Sequence, residues 1–186
     1  MNRHIKNLTL SGMFLAIGLI LPLLTGQIQQ IGNMLLPMHI PVLLCGLICG
    51  WQYGGAVGLI MPFLRNLLFG MPPMPNAISM AFELAAYGLV IGLLYGRSKW
   101  KCIFSLYRSM LVAMIAGRVI WGAAQTIILG INGTGFTFQM FIAGALLNAI
   151  PGIILQMVLI PAVMVALDRA RLVPFTRKVP VQKVQS

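Results

Sequence analysis

The chain has 186 residues and a formal net charge of +11, with 59% of its residues hydrophobic and 8% charged; a soluble domain carries about a quarter charged residues. Such a composition excludes an ordinary soluble domain, and six spans of roughly 20 residues would use most of the length, leaving no room for a soluble enzyme beside them. Nucleic-acid binding, the common meaning of so basic a chain, is set aside because the charges flank apolar runs, where they orient a membrane protein.

The first apolar run, about Leu8 to Leu24, follows Arg3 and Lys6. It has the look of a signal peptide, but Thr25-Gly26-Gln27 is no small-x-small cleavage site, so it is read as helix 1. A polar, uncharged loop follows from Thr25 to Asn33 and includes Gln30. Helix 2 is short, about Pro37 to Gly50, and Trp51-Gln52-Tyr53-Gly54 reads as a tight turn with interfacial aromatics. Helix 3 runs from about Gly55 to Phe69 and stops at the Gly70–Asn76 stretch, whose three prolines cannot continue it. Helix 4 is placed at about Ala77 to Tyr95. A basic connection (Arg97, Lys99, Lys101, Arg108) leads to helix 5, about Ser109 to Leu129. After the glycine-rich loop 130–135, helix 6 is read from about Phe138 to Leu167, with Pro151 and Pro161 as kinks. The rest, 168–186, reads as a basic tail.

The fold expected is therefore all-α: one membrane domain over 1–186, a six-helix transmembrane bundle. Eleven of the thirteen Lys and Arg fall on one side of it (Arg3, Lys6, Arg97, Lys99, Lys101, Arg108, Arg169, Arg171, Arg177, Lys178, Lys183). Loops 1, 3 and 5 carry none. Positive charge concentrates on the cytoplasmic side, so both termini are assigned to the cytoplasm and the protein to the cell membrane. Small residues four apart, Gly12 and Ala16 in helix 1, Gly54 and Gly58 in helix 3, and Gly88, Gly92 and Gly96 in helix 4, allow close helix approach. For helix 4 the contacts are assigned to the bundle itself.

Ionisable side chains inside spans are costly and mark function by default. Four stand out: His39, Arg65, Glu83 and Arg118. Helical rise puts Arg65, Glu83 and Arg118 in the outer half, with Asn148 and Gln125 at related depths, so that all can face one outward cavity. The bland reading is a structural pair between Glu83 and one arginine, which leaves the other arginine over. His39 has its own bland reading, as an interfacial histidine. Cys45 and Cys49 read as packing residues, since a metal would need more nitrogen or sulfur ligands nearby. Enzyme chemistry finds no support: there is no phosphate loop, no HExxH, no GxSxG, and the two acids of the whole chain are too few to hold magnesium. No cofactor or metal is expected.

Leu36-Pro37-Met38-His39-Ile40-Pro41-Val42-Leu43-Leu44-Cys45-Gly46, followed by Gly50-Trp51-Gln52-Tyr53-Gly54, resembles the loop, Pro, short apolar helix and G-[FW]-x-Y-G run of the substrate-binding S components of energy-coupling factor (ECF) vitamin transporters. The polar first loop and the basic helix 4–5 connection resemble them too. The resemblance implies a high-affinity membrane subunit that takes up a water-soluble vitamin. The outer loops would cover the site and helices 4 to 6 would supply contacts. It also implies a transmembrane coupling protein and two cytoplasmic ATPases as partners, met through small residues on helix 1. Gly12 and Ala16 match those positions, with glycine departing from the usual alanine. The charges Arg65, Arg118 and Glu83 sum to +1, which favours one carboxylate on the ligand. Pantothenate is the first candidate, with Asn148, Gln125, Asn76 or the loop carrying Gln30 for its hydroxyls and amide. A neutral vitamin of the pyridoxine type, or folate, is the alternative, and a stand-alone channel or membrane scaffold is the alternative of another class.

Overall fold

A computed structural model describes residues 3–24, 36–98, 102–131, 139 and 149–170. The described residues form six helices: α1 (Arg3–Leu24), α2 (His39–Cys49), α3 (Trp51–Phe69), α4 (Met74–Arg97), α5 (Ile103–Ile131) and α6 (Ile150–Arg169). Among the described residues, four regions are long and apolar enough to cross a membrane: Arg3–Leu23, Met74–Arg97, Ile103–Gly130 and Ile150–Arg169. The 11 residues of α2 are too short for that, and α3, interrupted by Gln52, Arg65 and Asn66, is less apolar.

Burial explains the layout. Every residue of α2 but Ile48 is buried, as befits a helix that is apolar all round and has no polar face to turn outward. It forms the centre of the bundle, with Val42, Leu43 and Cys45 fully enclosed. Around it α1, α3 and α4 pack, and α5 packs on α4. Large apolar side chains face outward on the outer helices, among them Leu8, Leu67, Phe104, Ile115 and Val158. In water such surfaces would associate; in a bilayer they face lipid tails.

The α2–α3–α4 contact is made through glycine. A Cβ on Gly54 would stand 2.6 Å from the Gly46 Cα and 3.0 Å from the Gly88 carbonyl oxygen, while one on Gly88 would meet the Gly54 and Gly55 backbone. One on Gly58 would meet the Leu84 backbone, and one on Gly92 the Trp51 backbone. The stripes at 54/58 and 88/92 thus let backbones touch inside the bundle. Gly96 has nothing within 4 Å of a built Cβ.

Several boundaries differ from the sequence reading. Trp51-Gln52-Tyr53-Gly54 is the first turn of α3, not a separate turn: Gly50 alone, at φ 102, reverses the chain. Glycine tolerates that left-handed backbone without steric cost. α1 and α5 begin about one to two turns earlier than expected, and the basic residues Arg3, Lys6 and Arg108 lie on helix, exposed at its end. Among the described residues α6 starts at Ile150, with Pro151 in its first turn. Pro161 does lie inside α6. The expected start of helix 6 at Phe138 lies outside the described residues, as do most of loops 1 and 5 and the tail.

Candidate functional site

Two helices bring the polar side chains together. Asn76 and Glu83 are seven residues apart on α4, and Arg118 and Gln125 seven apart on α5, so each pair lies on one helix face, about 10 Å apart along the axis. α4 and α5 run antiparallel, and the pairs meet rung to rung. In the upper rung Gln125 Nε2 donates to Asn76 Oδ1 at 3.4 Å, with both residues half-buried. In the lower rung Arg118 Nη1 lies 3.0 Å from Glu83 Oε1.

Local structure fixes the upper end of this ladder. Gly70 closes α3 in a left-handed conformation, its N–H donating to the Asn66 carbonyl at 2.8 Å. The Asn66 side-chain amide holds the Pro72 carbonyl at 2.6 Å. Pro75 then occupies the first turn of α4, as proline does readily, and Asn76 follows. Its carbonyl accepts from Ser79 Oγ at 3.0 Å.

α2 supplies the third member of the lower rung. Leu36, at φ 49, and the Pro37-Met38 turn lead into His39, whose N–H donates to the Leu36 carbonyl at 3.0 Å. The imidazole Nε2 lies 3.4 Å from Glu83 Oε1, the oxygen that Arg118 also approaches. The Tyr87 ring meets the imidazole edge-on, with centroids 5.0 Å apart and an interplanar angle of 81°. Tyr87, one turn beyond Glu83, is coupled electrostatically to both Glu83 and Arg118. Its ring packs where a side chain on Gly117 would stand.

The cluster is nearly closed from solvent: His39 is 1% exposed, Glu83 2% and Arg118 11%. The contacts to Glu83 have ion-pair distances without hydrogen-bond alignment. Among the described residues, Arg118 Nε and Nη2 and both His39 ring nitrogens have no hydrogen-bond partner. Leaving buried donors of a charged group unsatisfied costs more than leaving neutral ones so. The arrangement therefore leaves two guanidinium nitrogens and an imidazole open to any acceptor that reaches them.

Arg65 stands apart. It is 5% exposed, its Nη1 donates to the Leu19 carbonyl of α1 at 3.3 Å, and its guanidinium carbon lies 5.8 Å from the centroid of Phe69. Glu83 thus pairs with Arg118, and the arginine left over is Arg65, held between α1 and α3. The sequence reading had His39 as an interfacial side chain in its bland form; it is instead among the most enclosed residues. Gln30 and Asn148 lie outside the described residues. Tyr87 was missed, although its i+4 spacing from Glu83 places it on the same helix face. So was Gln156 of α6, 1% exposed, whose Nε2 has no partner among the described residues.

On α1, Gly12 and Ala16 face outward, and a Cβ built on Gly12 meets nothing within 4 Å. Ile5, Leu8, Met13, Ile17 and Ile20 surround them as exposed apolar residues. No group of three or more His, Cys, Asp or Glu with metal-site spacing occurs among the described residues.

The family model for the substrate-specific component of ECF transporters matches residues 6–164. The chain belongs to this family. It is thus the substrate-binding membrane subunit of an ECF importer, working with ATPase and coupling components, and a transport subunit rather than an enzyme. The stand-alone channel reading falls with that assignment. No curated protein and no solved structure matches the chain. The S component's match spans all six helices apart from the ends of α1 and α6, so the α4–α5 ladder and the outward face of α1 both lie within it.

Proposed function

We propose that this S component binds a water-soluble vitamin with one carboxylate, pantothenate being the first candidate, at the cluster formed by His39, Glu83 and Arg118. Asn76 and Gln125 line the path above it, and Asn148 and the loop carrying Gln30 complete it. The observation that carries this reading is Arg118, whose guanidinium Nε and Nη2 are buried and have no partner among the described residues. A carboxylate or hydroxyl supplies the missing acceptor, and charge-assisted bonds of this type are the strong ones.

The geometry also supports the alternative, a neutral vitamin of the pyridoxine type. Glu83 already neutralises Arg118 at 3.0 Å, and Arg65, counted toward the +1 in the sequence, is turned to α1. With His39 neutral the cluster has no net charge. Folate would need stacking surface, and the Tyr87 ring at the cluster is already engaged edge-on by His39.

In this reading both termini are cytoplasmic, all six helices belong to the membrane domain of the cell-membrane importer, and the outer rung of the ladder faces outside. The coupling protein docks on the Gly12/Ala16 face of α1, and the two ATPases act from the cytoplasmic side. Mass spectrometry of the small molecules released when the purified chain is denatured tests the ligand. A vitamin-sized carboxylate in about equal amount to protein is expected. Release of nothing but lipid and detergent, from cells grown with vitamins, contradicts the proposal.

A further inference from the structure

The lower rung holds one carboxylate between two basic side chains, and that arrangement has two charge states. Arg118 Nη1 and His39 Nε2 approach the same oxygen, Glu83 Oε1, at 3.0 and 3.4 Å. With a neutral imidazole, the carboxylate and the guanidinium cancel. With an imidazolium, Glu83 has a second cation to hold, and the cluster carries one net positive charge in a space nearly closed to solvent. An anion entering the uncharged cluster must separate Arg118 from Glu83, or leave two negative groups sharing one guanidinium. Like charges brought together in a desolvated site are costly. An anion entering the protonated cluster meets neither penalty.

The other groups that face His39 leave it as the member able to change charge. From α4 it is faced by Glu83 and Tyr87, and from α5 by Arg118. On α3, Arg65 turns to Leu19 and Phe69. The ionisable side chains of α1 (Arg3, His4, Lys6) and those of α6 (Asp168, Arg169) lie at the far ends of those helices. Arginine does not lose its proton in proteins, whereas histidine gains and loses one in the physiological range.

We propose that the S component binds its anionic ligand together with a proton taken up from solvent by His39, so that Glu83 holds the imidazolium while Arg118 turns its free N–H groups to the ligand carboxylate. This rests on the ligand site proposed above. No bond to carbon is made or broken: one proton moves from water to an imidazole nitrogen, and the complex carries the same charge as the empty cluster.

Calorimetric titration decides it, with pantothenate as the monocarboxylate probe and its alcohol as the neutral one. Heats are measured at one pH in two buffers of different protonation enthalpy. On the alkaline side of neutrality, uptake approaching one proton per pantothenate is expected, and none for the alcohol. Pantothenate affinity is expected to rise as pH falls, by up to about tenfold per unit, and to be flat in His39→Gln. The proton count on the unaltered chain needs no variant. Pantothenate binding with no proton uptake overturns this inference and leaves the proposed site standing. Uptake that persists in His39→Gln also overturns it, since the proton then resides elsewhere. If neither probe binds, the pantothenate reading fails, and this inference with it.

Discussion

At the level of single residues, the sequence revealed that a lone acid and two arginines lie in apolar helices, but not which arginine the acid meets. Helical rise gives Arg65 and Arg118 comparable depths. What separates them is rotation about the helix axis. Arg118 lies on the α5 face turned to Glu83, while Arg65 lies on the α3 face turned to Leu19 of α1. A sequence without aligned relatives does not give that angle. His39 was misjudged for a similar reason: the start of a helix is normally near the surface, but α2 is enclosed by its neighbours, so even its first residue is 1% exposed. Arg118 is where a substitution is most informative. On the proposed reading, Arg118→Gln removes a charge-assisted bond to the ligand carboxylate, worth about 1.5–3 kcal/mol, or roughly ten- to a hundredfold in affinity. The expected calorimetric result is that loss for pantothenate and a much smaller one for its alcohol. Equal affinities for a correctly folded variant and the unaltered chain would remove the case for Arg118.

At the level of helices, each expected apolar run overlaps one of the six helices among the described residues, and the differences fall at their ends. Trp51-Gln52-Tyr53 reads as a turn because its residues are polar or interfacial, yet one glycine with positive φ suffices to join α2 to α3. The small-residue stripes were legible as packing signals; their partners were not. Gly88 touches the Gly54 backbone, whereas Gly12 faces open space. The same substitution should therefore have opposite signatures. Gly88→Leu forces two backbones apart and is expected to lower the thermal unfolding midpoint sharply or prevent folding, because overpacked helices do not relax cheaply. Gly12→Leu is expected to leave stability and ligand binding unchanged while weakening assembly with the coupling protein, read by co-purification. Loss of ligand binding together with assembly in Gly12→Leu would mean that this face packs inside the bundle.

At the level of the whole molecule, composition alone identified a membrane protein. The division of labour with partner ATPases followed from the missing phosphate loop together with the family. Orientation rests on the placement of Lys and Arg, and it determines which end of the α4–α5 ladder meets the outside. The central claim is that this ladder opens outward and leads to the ligand. Cysteine labelling on intact cells tests both halves at once, in a background where Cys45, Cys49 and Cys102 have been replaced. Asn76→Cys, at the upper rung, is expected to react with a membrane-impermeant maleimide and to be protected by saturating pantothenate. Lys99→Cys is expected to react only after the membrane is permeabilised. Labelling of Lys99→Cys from outside, or labelling of Asn76→Cys that bound pantothenate does not slow, would contradict the account.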